Sequence, residues 1–216
     1  MKVLILGAHG NTGRRVVRLL RDEGRHLPLA MIRSPDQKAV FDEMGVATVL
    51  GDLEYPIDHA VRGCQAVIFA AGSGPKTGKD KTVLVDHLGA VRSMVAAAMN
   101  GARRYIMLSS YRADPASDSA IRHYHRAKGL ADQFLVTQAE VIPESLDWTI
   151  IRPGGLTDDP GSGMVTLQPG ETGNKTSRQN LATALAASLD EPATIGKTYE
   201  LFDGSTPLAE ALRSLT

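Results

Sequence analysis

A chain of 216 residues is long enough for one well-filled core and short for two, so one domain is expected. Lys plus Arg and Asp plus Glu are equal at 24 each, which leaves no net field to draw the chain to nucleic acid or an anionic membrane. The single cysteine, Cys64, excludes an intrachain disulfide and a cysteine-built zinc cluster. It fits a reducing compartment, and with no apolar run near the ~18 residues that span a bilayer, a cytoplasmic protein is expected.

The first predicted strand, Lys2 to Leu6, runs into Gly7-Ala8-His9-Gly10-Asn11-Thr12-Gly13 and then a helical pattern from Asn11 to Glu23. Three glycines at this spacing between strand and helix form a dinucleotide-binding turn. Gly7 makes the tight turn, a side chain at Gly10 would block a pyrophosphate, and Gly13 lets helix and strand pack closely. His9, Asn11 and Thr12 lie in the same turn and count as cofactor contacts, while the helix N-terminus directs its amides at the phosphates.

The second strand, Leu27 to Ile32, ends in Arg33-Ser34, where an NAD-binding unit normally carries an acidic acceptor for the ribose 2′-hydroxyl. An arginine cannot accept those bonds but can pair with a 2′-phosphate, and Arg14 can add to the clamp. NADP(H) is therefore expected in preference to NAD(H), which remains an alternative. A helix from Asp36 to Glu43 and a strand from Ala47 to Leu50 follow. Then comes Gly51-Asp52-Leu53, where Asp52 is a candidate for the adenine amino group and equally a turn cap. After a short helix, Asp58 to Arg62, the strand Ala66 to Ala70 leads into Ala71-Gly72-Ser73, small residues where backbone and cofactor approach. A charged patch of Lys76, Lys79, Asp80 and Lys81 reads as solvated surface.

Beyond the helical run Lys81 to Asn100, the strand Arg104 to Leu108 ends in Ser109-Ser110. The next helix, Ser119 to Thr137, carries Tyr124-His125-Arg126-Ala127-Lys128. Residues four apart share a helix face, so Tyr124 and Lys128 can point at one place with a serine beside them. A phenol with a pKa of about 10 is a sluggish acid or base near neutrality, and a neighbouring lysine favours its phenolate. The same lysine is a candidate to hold the nicotinamide ribose. His123 and His125 are too close along the helix to share a face and do not read as a metal pair. The strand Trp148 to Ile151 leads to a turn-rich segment, Pro153 to Gly163, placed to form the mouth of a site. Small strands at Met164 to Gln168 and Thr198 to Phe202 are expected to complete the sheet or pair beside it, and helices Arg178 to Leu189 and Pro207 to Leu215 end the chain. Strands alternating with helices predict an α/β, Rossmann-like, doubly wound parallel sheet with a small C-terminal substrate-side extension.

Together Gly7-x-x-Gly10-x-x-Gly13, Ser109-Ser110, Tyr124-x-x-x-Lys128 and Thr149-Ile150-Ile151-Arg152-Pro153-Gly154 resemble the short-chain dehydrogenase/reductase superfamily. The similarity is to its atypical NAD(P)-binding branch of NmrA-like and flavin-reductase-like proteins. The resemblance implies Ser110, Tyr124 and Lys128 as catalytic residues and the Pro153 segment as a nicotinamide wall. It departs from larger members at Ala71-Gly72-Ser73, where they carry Asn-Ala-Gly. The function so implied is hydride transfer between NADP(H) and a small carbonyl, quinone or flavin-like substrate. Alternatives are a non-catalytic NADP(H) sensor and a sugar-nucleotide epimerase or dehydratase. The expected partner is a small molecule, with neither nucleic acid nor membrane involved and the choice of monomer or homodimer open.

Overall fold

The computed structural model describes residues 1–74, 78–141, 146–169 and 174–215; Lys76 of the charged patch lies outside them. Strand β1 (Lys2–Leu6) shows how the chain is organised. Val3, Leu4, Ile5 and Leu6 are all fully buried, and because alternate side chains leave opposite faces, the strand feeds two separate cores. Val3 and Ile5 join one apolar cluster, Leu4 and Leu6 the other. Such a strand has to be covered on both faces, which is the setting of a parallel sheet.

Helix α1 (Asn11–Glu23) turns Val16, Val17 and Leu20 toward the first cluster and stops at Gly24, whose φ of 67° lets its N–H cap the Leu20 carbonyl. Strand β2 (Leu27–Ile32) pairs parallel with β1. Pro35 opens a 3-10 turn, Pro35–Gln37, before α2 (Lys38–Asp42), so the single helix expected there is divided. Strand β3 (Ala47–Leu50), helix α3 (Asp58–Val61) and strand β4 (Ala66–Phe69) follow. Next, α4 (Lys79–Lys81), a π-helical turn over Thr82–His87 and α5 (Leu88–Met99) run on as one helix. Lys79–Met99 is long and apolar enough to cross a membrane, contrary to the expectation that no segment approaches that length. Half of it is buried in the protein, and Ala90, Met94 and Ala97 pack into the second cluster, so its apolar side chains serve the core.

Strand β5 (Arg104–Leu108), helix α6 (Arg122–Val141) and strand β6 (Asp147–Pro153) complete the portion that carries the chemistry. The segment expected to be irregular after Pro153 contains β7 (Gly155–Thr157), paired with β9 (Lys175–Ser177) in a separate two-stranded ribbon. Three-residue strands leave too short a pattern for periodicity to register. Strand β8 (Met164–Thr166), helix α7 (Arg178–Ala187), strand β10 (Lys197–Asp203), strand β11 (Thr206–Pro207) and helix α8 (Leu208–Arg213) end the chain.

The main sheet has nine strands in the order β11-β8-β10-β6-β5-β4-β1-β2-β3. From β3 through β10 all neighbours are parallel, and β8 and β11 add antiparallel pairs at one edge. The C-terminal strands thus complete the sheet, as expected from their place in the sequence. Helices α1, α7 and α8 cover one face, and α3, α5 and α6 the other. The chain works outward from β1 to β3, then returns to β4 on the other side of β1. That reversal opens a crevice at the carboxyl ends of β1 and β4, where ligands of such sheets bind.

Candidate active site

Gly7 closes the turn after β1 with a φ of 77°, a conformation suited to glycine. A Cβ there would lie 2.6 Å from the Ala71 Cα after β4, and one on Gly13 would lie 2.2 Å from the Gly7 carbonyl oxygen. Both glycines are required by the protein's own packing. Gly10 differs, since a Cβ on it meets only the Gly7 oxygen, at 3.2 Å. Gly10 is also the N-cap of α1 and supplies no side-chain cap, so the first amides of the helix open onto the crevice. An uncapped helix N-terminus beside space kept clear of side chains fits a pyrophosphate.

Two cavities flank this point and share Gly10, Ala70, Ala71 and Gly72. The first, of about 270 Å³, is lined by Gly7, His9, Met31, Arg33, Gln37, Asp52, Leu53 and Ser73 among others. Asp52 also accepts the Glu54 amide at 3.0 Å, so its turn-capping and cavity-lining readings hold together. Arg33 is exposed at the end of this cavity. Arg14 reaches it through His9, donating from Nε to the His9 carbonyl at 2.8 Å and placing Nη2 2.7 Å from its ring Nε2. Burial, followed by the Arg14 charge, holds His9 below the usual imidazole pKa. Ser34 turns to the Asp36 carboxylate and does not line the cavity wall.

The second cavity, of about 250 Å³, is lined by Asn11, Thr12, Ser109, Ser110, Tyr124, Lys128, Pro153, Gly154, Leu156 and Arg178. Consecutive residues after β5 diverge. Ser109 Oγ donates to the buried Asp132 carboxylate at 2.7 Å, while Ser110 Oγ donates to the Tyr111 carbonyl at 3.2 Å and Ser110 lines the cavity with Tyr124. With Ser109 taken up by Asp132, Ser110 is the serine left to act with the tyrosine.

Lys128 is more deeply set than its spacing from Tyr124 indicates. It is only 1 % exposed, and its Nζ lies 3.3 Å from the Ala71 carbonyl, 3.2 Å from the Leu108 carbonyl and 3.3 Å from Asp86 Oδ1. Of the three N–H donors of the ammonium, two go to the Ala71 and Leu108 carbonyls, and the charge is paired with Asp86 where Lys128 meets the cavity. The expected lowering of the Tyr124 pKa is also reversed. Burial, the largest cause, pushes it above the ordinary phenol value despite the pull of Lys128.

Residues 7–192 match a family model described as NAD(P)H-binding. The chain belongs to this NAD(P)H-binding family. The uncharacterized sugar epimerase YhfK of Bacillus subtilis is 41% identical, with 100% of both chains covered. A solved structure from Bacillus halodurans, bearing the name of an NAD-dependent epimerase/dehydratase, is 40% identical with a TM-score of 0.90, again over 100% of both chains. The oxidoreductase ylbE of Lactococcus lactis is 27% identical with a TM-score of 0.82, covering 100% of this chain and 96% of that one. The fold is that of the family's Rossmann-like, oxidoreductase-type NAD(P)-binding proteins.

Within this family site, the sequence reading missed Asp86, Asp132 and Arg178. Asp86 stands in the apolar run Val83-Leu84-Val85-Asp86-His87-Leu88, and a lone carboxylate in such a run signals a buried partner. Asp132 repeats the four-residue spacing of Tyr124 and Lys128. It accepts from Ser109 and from Arg152 Nε at 3.0 Å, and burial above all raises its pKa. Arg178, at the start of α7, pairs with Asp158 at 3.0 Å, which Arg15 also contacts at 3.2 Å. Both pairs join distant segments, and spacing along the chain carries no sign of them.

Proposed function

We propose that the protein is an NADP(H)-dependent oxidoreductase acting on a small carbonyl, quinone or flavin-like acceptor. The observation that carries this reading is that Ser110, Tyr124 and Lys128 line one cavity, which shares Gly10, Ala70, Ala71 and Gly72 with the dinucleotide groove. When bound, NADP(H) supplies or accepts a hydride. Gly10 and the α1 N-terminus would hold its pyrophosphate, Arg33 its 2′-phosphate, and Asp52 its adenine end. Tyr124 handles the proton at the acceptor oxygen, Ser110 orients that oxygen, and Pro153 and Leu156 close the cavity wall. The relevant assay is NADPH and NADH oxidation with a panel of quinones, flavins, aldehydes and ketones. Turnover with at least one acceptor, faster with NADPH, is expected. In Tyr124→Phe, turnover of a carbonyl acceptor should fall by roughly 10² to 10⁴, the range for a positioned acid or base, while the NADPH Kd stays within about threefold because the cofactor's charged contacts are untouched. No oxidation with any acceptor would defeat the enzyme reading and favour an NADP(H) sensor.

The names of two relatives at 41% and 40% identity support a second reading, a sugar-nucleotide epimerase. The same groove and cavity would serve it. Interconversion of a sugar nucleotide with no net change in cofactor absorbance would establish that reaction in place of acceptor reduction.

A further inference from the structure

Lys128 and Asp86 are buried together beneath Tyr124. Asp86 is 0 % exposed; its Oδ1 faces Lys128 Nζ at 3.3 Å, and its Oδ2 accepts the Ser73 amide at 3.0 Å. The π-helical turn Thr82–His87 carries it there, and Gly72 leaves room for it, since a Cβ on that glycine would lie 3.2 Å from Oδ1. Lys128 Nζ is 5.9 Å from the centre of the Tyr124 ring and 5.2 Å from that of Phe69. The charged groups acting on Tyr124 are then Lys128 and Asp132 from its own helix and Asp86 from the π turn, with the polar Ser110 hydroxyl at the same cavity. Asp132 is occupied by Ser109 and Arg152, and Arg178, across the cavity, is paired with Asp158.

A lone ammonium at this distance would draw a tyrosine toward phenolate; an ammonium matched by a carboxylate presents little net charge. We propose that Asp86 is a positioning residue that neutralises Lys128, so that Tyr124 is kept as a phenol and works as a proton donor, which configures the site for reduction. In that direction the acceptor's C=O π bond opens onto oxygen as its carbon takes the hydride supplied by NAD(P)H. With that hydride goes the C–H electron pair, leaving NAD(P)+, and the oxygen takes the proton of the Tyr124 O–H bond, whose electron pair stays on the tyrosine as a phenolate that solvent reprotonates. Burial, the largest influence, and Asp86 both act to raise the Tyr124 pKa, against Lys128 and Ser110. On Lys128, burial acts downward and is outweighed by Asp86 and Tyr124, so its pKa is raised. This inference rests on the reading of Tyr124 as the proton-transfer group.

The test is a pH titration of carbon-13-labelled tyrosine in the free protein by NMR, with the Tyr124 signal identified by its loss in Tyr124→Phe. The wild-type midpoint should lie above the ordinary tyrosine value of about 10, and Asp86→Asn, similar in size, should lower it by about one unit or more. A wild-type midpoint at or below the ordinary value, or an unmoved or raised midpoint in Asp86→Asn, overturns the proposal. If Asp86→Asn does not fold, the double variant Asp86→Asn, Lys128→Met removes both buried charges. Its midpoint should stay near that of the wild type, whereas a rise of about one unit or more would mean that Lys128 had been acting uncompensated and would also overturn the proposal. None of these titrations needs turnover, so absence of any acceptor reaction would defeat the reductase reading while leaving the measured effect of Asp86 intact.

Discussion

Individual residues at the groove separate those needed for folding from those needed for a ligand. A Cβ on Gly13 would collide with the Gly7 oxygen at 2.2 Å, whereas Gly10 has only one neighbour, at 3.2 Å. Gly10→Val should therefore remain folded by circular dichroism while losing the NADPH-induced thermal shift, because the side chain fills the space meant for pyrophosphate. A variant that keeps its full shift would remove the groove as the cofactor site. Arg33 is predicted to read the 2′-phosphate. A charge-assisted hydrogen bond of about 1.5 to 3 kcal/mol is at stake, so Arg33→Ala should weaken NADPH at least tenfold and leave NADH nearly unchanged. Titration calorimetry at one ionic strength checks this, and equal losses for the two cofactors would refute it. The glycine spacing and Arg33 were legible because their effects are local, set by a turn and by one strand end. Lys128 was legible as Tyr124's partner in spacing, but its Nζ goes to Asp86, a residue 42 positions earlier in the chain, and no local pattern reveals that.

At the level of elements, the sheet keeps its chemistry and its bracing at opposite ends. Cavity-lining residues follow the carboxyl ends of β1, β4, β5 and β6, while Arg104 begins β5 at the other end. Its guanidinium donates to the Asp147 and Ser188 carbonyls at 2.6 and 2.5 Å, and to Thr149 and Thr194 Oγ1 at 2.7 Å each. One side chain thus ties β5, β6, the end of α7 and the turn before β10, and burial lowers its pKa to about 10. Arg104→Met would leave several buried acceptors unpaired, at a cost of about 1 to 3 kcal/mol for each. The urea midpoint should drop accordingly, with the NADPH Kd unchanged; a large loss of cofactor affinity in a folded variant would contradict this division. Helix and strand positions were broadly readable from periodicity. The π turn, the division at Pro35 and the β7–β9 ribbon were not, because each is decided by a few residues answering to distant neighbours.

For the molecule as a whole, the proposed cofactor groove is lined by segments far apart in sequence: the turn after β1, the end of β2 and the residues after β4. Binding only to the folded form should stabilise it by about 2.7 kcal/mol at a hundredfold excess over Kd. For a chain of this size that is a rise of roughly 5 to 10 °C in Tm, measurable by thermal shift with NADPH. No rise at saturating NADPH would mean that the groove does not take this dinucleotide. The sequence alone determined the α/β alternation, the glycine turn between β1 and α1, and that Tyr124 and Lys128 share a helix face, since strand burial, glycine geometry and four-residue helical spacing are short-range regularities. Only the tertiary structure decided that Ser109 turns to Asp132, that β10 lies beside β6, and that Asp86 is paired with Lys128. Those outcomes depend on which buried groups the packed chain brings within a few ångströms, where burial makes an unpaired charge too costly to leave alone.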